Sequence, residues 1–323
     1  MNIKELPVVK PRFYTYHWLA AGGIASGSNQ TVDNWYLNNS FQIKLSKDFL
    51  IGNKKMGLTV DCAHPWDMPF LQKHSVENMF IKDCFDLVVK EMINNNYYIL
   101  FTGLDDYYMK GKSLYNKIHV NHDGIITGYD DIESTYTVSA YDERWIFNSF
   151  KIPQSYVNKA FSSEFVNYDG RLLALQFLKD IPVELDIKLI IDNLAKYLDS
   201  NLKKYPKELV NENASGIVFY DYVIMYLDMI INKQISPNEA DHRIFKMIFD
   251  SKKCMLDMFE KVEKTKGFFC NFSERYREIV NIAGNINLLY SKFKIQKNVN
   301  NLLVIKDRLY DMKNKEFNIL SII

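Results

Sequence analysis

The chain is poor in the residues that staple or break a fold. Its 323 residues include 4 cysteines, 8 prolines and 13 glycines. Cys62, Cys84, Cys254 and Cys270 form no CxxC pair, so the spacing favours neither a disulfide framework nor a structural zinc knot. All four read as reduced thiols, most of them in the core. Few Pro and Gly beside 21 Tyr and 21 Phe exclude a low-complexity chain and point to an ordered, aromatic-rich fold. There is no run of 18 apolar residues, and the start MNIKELPVVKPRFYTYHW has no continuous apolar stretch. Neither a membrane span nor a signal peptide is expected, and the expected location is the cytoplasm. An excess of one charge is missing too: 40 basic against 39 acidic residues argue against a nucleic-acid groove or a basic membrane patch.

What the chain does have is apolar material, 47% of its residues, enough for one large core or two smaller ones. TYHWLAAGGIASG predicts a short helix from about His17 to Ala25. DNWYLNNSFQIKL turns extended, with Phe41, Ile43 and Leu45 alternating with polar neighbours, and MGLTVD is another short strand before the irregular CAHPWDMPF. The apolar spacing from Val76 to Ile93 predicts a helix. YYILFTGLDDYYM reads as an interior strand. DGIITGYDD, STYTVSAYD and ERWIFNSFKI predict three antiparallel strands, and SYVNKAFSS a closing helix capped by Ser155. From about residue 180 the pattern becomes long and helical. The expected architecture is an α+β domain over residues 1–170 followed by a helical domain over residues 171–323.

One stretch carries chemistry. In HVNHDGIITGYDD a histidine, His122, opens an apolar run, and the next run, YTVSAYD, closes on Asp142. A histidine works as a general base when a carboxylate holds its other ring nitrogen and fixes the tautomer. Antiparallel pairing of the two strands would bring His122 and Asp142 face to face. His, Gly and Asp are equally ordinary turn residues. Asp105 and Asp106, in GLDDYYM, offer a carboxylate to hold a substrate ammonium or to brace the histidine strand, or else a turn cap. No metal site and no cofactor are expected: His64 and His74 are ten residues apart in loop, and His119 and His122 face opposite sides of an extended segment.

The strand set LFTGLDDYYMKGK, HVNHDGIITGYDDIESTYTVSAYD and FKIPQSYVNKAF resembles the amino-terminal domain of the butirosin biosynthesis protein H family. The later GIVFYDYVIMYLDM and HRIFKMIFDSKKCMLDM resemble the helical extension of such proteins, so the resemblance runs from about residue 12 to 320. It implies a papain-like, C39-peptidase-like α+β fold. It also implies acyl transfer in antibiotic or nonribosomal peptide pathways, from a carrier protein bearing a phosphopantetheine thioester to a small amine. In that family a cysteine starts a helix and attacks the acyl group, the histidine ahead of GYD is the base, and the acid ending the next strand orients it. His122 and Asp142 match the base and the acid. Trp18 falls near the cysteine position, and an indole is no nucleophile.

Three readings follow. Cys62, in the loop DCAHPWD, supplies a thiolate from another direction, as in a cysteine peptidase, or is simply a small apolar residue. Alternatively, His122 and Asp142 deprotonate an incoming amine that attacks the thioester directly, with Ser26 or Ser28 as a hydroxyl variant. In the third, the cleft is inactive and binds a carrier protein or a peptide along Tyr14, Tyr16, Trp18, Trp35 and Tyr36, aromatics that fit a core equally well. His17, beside the nucleophile position, is a candidate for catalysis or binding, or an ordinary hydrogen-bonded histidine.

Overall fold

The computed structural model describes residues 2–39, 42–60, 63–165, 170–199, 214–267 and 271–323. In chain order the elements are β1 (Ile3–Glu5), α1 (His17–Ser26), α2 (Gln30–Asn39), β2 (Ile43–Leu45), β3 (Leu58–Val60), β4 (Leu71–Glu77) and α3 (Phe85–Asn94). There follow β5 (Tyr98–Asp105), β6 (Asn121–Asp130), β7 (Thr135–Tyr141), β8 (Phe147–Pro153), α4 (Gln154–Ser162), β9 (Arg171–Phe177), α5 (Ile187–Leu198) and β10 (Ala214–Ser215). The chain ends in α6 (Phe219–Ile231), α7 (Ile244–Lys266), α8 (Phe272–Gln296) and α9 (Asn300–Leu320). It is a mixed α+β fold with two antiparallel sheets, followed by a mostly helical carboxy-terminal region. Among the described residues no helix is long and apolar enough to cross a membrane.

Two compact units are present: Met1–Val32 with His64–Pro182, and Asp33–Ala63 with Val183–Ile323. The first holds the sheet β4-β9-β5-β6-β7-β8, with β1 pairing β6 beyond the end of β5. Strand alternation splits the side chains between two layers. Ile99, Phe101, Ile126, Val138 and Leu172 pack into one core cluster with Phe85 and Val89 of α3 and Val157 and Phe161 of α4. Their strand neighbours Leu100, Ile125, Leu173 and Leu175 are also buried but lie outside that cluster, and α1 packs on β9, β5 and β6. The sheet is covered on both faces, which is why β5 reads as a continuous bulky run.

Three local expectations change. Residues 33–39, expected extended, continue α2, because Asn29 Oδ1 accepts the Val32 N–H at 3.0 Å and Val32 and Tyr36, four residues apart, are both buried. Phe41 lies outside the described residues. The helix expected from Val76 starts only at Phe85, since residues 71–77 pair one for one with β9 and that ladder outweighs the helical spacing of two apolar residues. Ser155 lies inside α4, whose N-cap position is Pro153.

The second unit holds the sheet β10-β2-β3 and the long helices. Five of its helices meet at one carboxylate. Glu316 of α9 is fully buried and takes both oxygens to Lys252 of α7, at 2.7 and 2.9 Å. It also accepts from Tyr197 of α5 at 2.9 Å, Tyr220 of α6 at 2.6 Å and Tyr276 of α8. Burial and the Glu316 charge push the three phenols well above their ordinary value, so they remain donors. Breaking a buried pair strands a charge at a cost of about 3–5 kcal/mol. Glu316→Leu leaves the Lys252 ammonium with one hydroxyl, whereas Lys252→Met leaves the carboxylate with three phenol donors. In urea unfolding followed by far-ultraviolet circular dichroism, E316L is therefore expected to lose more stability than K252M. Equal losses would show that the tyrosines contribute nothing to holding the carboxylate.

Candidate functional site

In the first unit β5 ends in two buried aspartates that bind two different histidines. The strand is bulged before them: its register to β6 shifts between Phe101 and Leu104, and Gly103 has φ 85°, a left-handed conformation that a side chain would strain. The Asp123 carboxyl accepts the Gly103 N–H and so ties the bulge to β6. After the bulge the chain enters a short 3-10 turn, Asp106–Tyr108, anchored by Asp106 N–H to the Val120 carbonyl at 2.9 Å.

Asp106 Oδ2 lies 3.0 Å from Nδ1 of His122, and its other oxygen forms an ion pair with Lys112. The Lys112 ammonium also sits 3.3 Å from the same Nδ1 and donates to the Asp123 carbonyl at 3.4 Å. A bare nitrogen lone pair would repel the carboxylate, so Nδ1 carries the proton and donates to Asp106, and Nε2 carries the lone pair. Among the described residues Nε2 has no hydrogen-bond partner, and the His122 side chain is 36% exposed. Lys112 and Asp106 are buried. Burial holds the Lys112 ammonium below its ordinary pKa against the pull of Asp106, and burial raises the Asp123 carboxyl.

The expected pairing of His122 with Asp142 is replaced by this one. Asp142 follows β7 and caps the turn into β8: Oδ1 accepts from Arg144 N at 2.8 Å and Ile146 N at 2.9 Å, and Oδ2 from Asn148 at 3.0 Å and the Arg144 guanidinium at 3.3 Å. Both oxygens are committed to the hairpin, and these bonds hold the carboxyl below its ordinary pKa. Nor are Asp105 and Asp106 open to a substrate ammonium, being buried and already bonded.

The residue facing His122 from α1 is His17. The two rings stand edge to face at 4.9 Å, and His17 makes the same kind of contact with Tyr141 at 5.5 Å. His17 is 4% exposed, and burial first, then Lys112 and His122, lowers its pKa well below the ordinary histidine value. Its Nε2 is buried without a hydrogen-bond partner among the described residues. Trp18 turns elsewhere, stacked on Tyr16 at 5.4 Å and tilted against His64 at 4.6 Å, with Trp66 stacked on His64 at 6.1 Å. Ser26 lies nine residues along α1, about 13 Å of helix rise, and donates to the Gly22 carbonyl at 2.6 Å. Ser28 follows the end of that helix. Trp35 belongs to α2 in the second unit, where its carbonyl accepts from Asn39 at 2.9 Å. Cys62 lies outside the described residues.

Asp105 serves the other histidine. It is completely buried and takes His119 Nδ1 at 2.7 Å, the Ser163 hydroxyl at 2.6 Å and the Tyr107 N–H at 3.1 Å. The His119 ring is clamped between Tyr107 and Phe165, each stacked at 4.1 Å. Sequence reading placed His119 and His122 on opposite sides, and here they bond to different aspartates. Lys112, Asp123 and Ser163 were missed. Lys112 sits in the loop MKGK, where nothing local distinguishes it from a solvated lysine, and only the buried carboxylate draws it in.

No protein-family model matches the chain, and no curated protein sequence matches it.

Two outcomes follow. His17 is held neutral in the folded chain, whereas in the unfolded chain it takes up a proton below its ordinary value of 6.5. Its contribution is intact above that pH and is lost as pH falls through it, by at most about 1.4 kcal/mol per pH unit for one proton. Glutamine at position 17 should flatten the fall in melting temperature between pH 6.5 and 5; an unchanged slope would assign that fall to other groups. Asp142→Ala should lower the melting temperature and leave the His122 ring resonances in place, while Asp106→Asn moves them.

Proposed function

We propose that the first unit is an acyl or peptidyl transferase of papain-like type. It would form an amide from a carrier-protein-bound thioester and a small amine, with His122 as general base and Asp106 as its orienting acid. The observation that carries this reading is the 3.0 Å bond from His122 Nδ1 to Asp106, with an unpartnered Nε2 on a partly exposed ring. A helix start meeting a histidine strand, as His17 meets His122, supports the papain-like reading and the resemblance to the butirosin biosynthesis protein H family.

The reaction needs no enzyme-bound acyl group. Nε2 takes a proton from the amine as its nitrogen bonds to the thioester carbonyl carbon. The tetrahedral adduct then collapses, the carbon–sulfur bond breaks, and the imidazolium returns the proton to the departing thiolate. The products are the amide and the free carrier thiol. A thioester is activated enough for positioning and one base to suffice, base catalysis contributing about 10²–10⁴-fold. Peptide cleavage starts from a less reactive acyl group and calls for a nucleophile, which neither Trp18 nor His17 supplies in the form of a thiol.

A second reading is a non-catalytic site that binds a carrier protein or peptide. It is favoured by the contiguous rings of Tyr16, Trp18, His64 and Trp66, since aromatic faces give large contact area at low entropic cost. Incubation with an acylated carrier and a panel of amines separates the two. Transfer by the parent chain, a loss of about 100-fold or more in H122A and in D106N a smaller one, and near-parent rates in D142N support catalysis. H122A turning over as fast as the parent removes His122 as base. Carrier binding with no turnover in either protein supports the second reading.

A further inference from the structure

Lys112 stands in a turn that sends its side chain inward. The loop MKGK leaves the 3-10 turn with the Met109 N–H on the Asp106 carbonyl at 3.1 Å, and the Lys112 N–H returns to the Met109 carbonyl at 3.1 Å. Gly111 has φ 96°, and a Cβ there would lie 3.0 Å from the Phe150 ring, so both conformation and space exclude a side chain. The Lys112 side chain is 2% exposed and pairs with that of Asp106, 3% exposed. An ammonium gives up its hydration in such a place, so the pair contributes little to stability beyond what an apolar pair would give. Its position against the His122 ring gives it a second consequence.

The ammonium and the carboxylate act on one atom. Nδ1 of His122 is 3.0 Å from Asp106 and 3.3 Å from Lys112. A carboxylate accepts the Nδ1 proton and also favours a second proton on the ring, because an opposite charge within about 4–6 Å stabilises the charged form. An ammonium at similar range opposes that second proton by the same Coulomb interaction. The other ionisable groups around the ring do not set the balance. His17 of α1 is held neutral by burial, and burial raises Asp123 of β6 towards its neutral form. The charge on His122 therefore depends on the Lys112–Asp106 pair. An imidazolium has no lone pair, so a ring facing the carboxylate alone would lose its capacity as a base.

We propose that Lys112 is a positioning residue for His122: its ammonium balances the Asp106 carboxylate, so that Asp106 orients the ring without drawing a second proton onto it, and Nε2 keeps its lone pair. The same pair decides the tautomer. With both partners present the Nδ1 proton goes to the carboxylate; with Asp106 uncharged, the Lys112 ammonium becomes the stronger partner and donates to Nδ1, which moves the ring proton to Nε2. For its effect on rate this role rests on His122 being the base. For the state of the ring it does not.

Ring-nitrogen spectra of the full chain, labelled at histidine, provide the test. In Lys112→Met the ratio of charged to neutral His122 rings at pH 7 should rise about tenfold or more over the parent. Lys112→Arg, which keeps the charge, should stay within a few-fold of the parent, and the double variant K112M/D106N, which removes both charges, should return to it. Asp106→Asn alone should move the neutral ring's proton from Nδ1 to Nε2. An unchanged charge ratio in K112M, or a proton that stays on Nδ1 in D106N, overturns the assignment, and D106N keeps the test open if K112M does not fold. In K112M the folded chain gains an imidazolium–carboxylate pair, whose contribution is intact at low pH and is lost as pH rises and the ring gives up its proton. Its melting temperature should therefore fall further behind the parent's between pH 6 and 8. Acyl transfer by K112M should be about tenfold slower than by the parent at pH 7, with the gap closing as pH rises. Ring spectra that respond as expected while no protein transfers acyl groups remove the transferase reading and leave the role of Lys112 in place; parent-rate transfer by K112M with an unchanged ring removes Lys112 alone.

Discussion

Two adjacent buried carboxylates are the constraint around which the first unit's site is arranged. Asp105 and Asp106 cannot share one set of donors, because consecutive side chains leave the backbone in different directions and two negative charges out of water repel. Each has its own set: His119, Ser163 and the Tyr107 N–H for Asp105, and His122 with Lys112 for Asp106. The bulge at Gly103 permits this, since it breaks the strict alternation of β5 just before the pair. Asp123, bonded to the bulge, links that break to the strand carrying His122.

The two imidazoles consequently differ in freedom. His119 is clamped on both faces by aromatic rings and held by a carboxylate that also accepts from a serine and a backbone N–H. His122 has one carboxylate, which it shares with an ammonium, and one ring neighbour, His17, at its edge. A rigid, fully bonded histidine ties the turn at Asp106 to the end of α4. His122 keeps a ring nitrogen that has no hydrogen-bond partner among the described residues.

In the second unit the same physics serves cohesion. Glu316 would be prohibitively costly on its own, and it is tolerated because each of four other helices brings a donor to it. Such a network specifies one packing of the helices, because any sliding of α9 separates the carboxylate from several partners at once. Apolar seams alone would leave that register less sharply defined.

Much of the scaffold was legible in the sequence, and the reasons are local. The strands β5 to β7 show as bulky runs because residues on both faces are buried, and the helices α6 to α9 follow from periodicity, because each buries a stripe. The strand at residues 71–77 was hidden, as its stability comes from β9, about a hundred residues away in the chain. His122 was identifiable as a candidate by its type and position. Its partner was not: Asp142 and Asp106 are equally plausible on a strand diagram, and only the tertiary structure decided between them, by committing Asp142 to a hairpin turn and bringing Asp106 to the ring. Trp18 and His17 are neighbours in sequence, and the rotation of α1 decided that His17 meets His122 while Trp18 joins a stack of rings. The sequence alone determined which chemical groups the chain has and which elements they ride on; long-range pairing decided which of them touch, because burial and hydrogen-bond demand are satisfied across the sheet rather than along it.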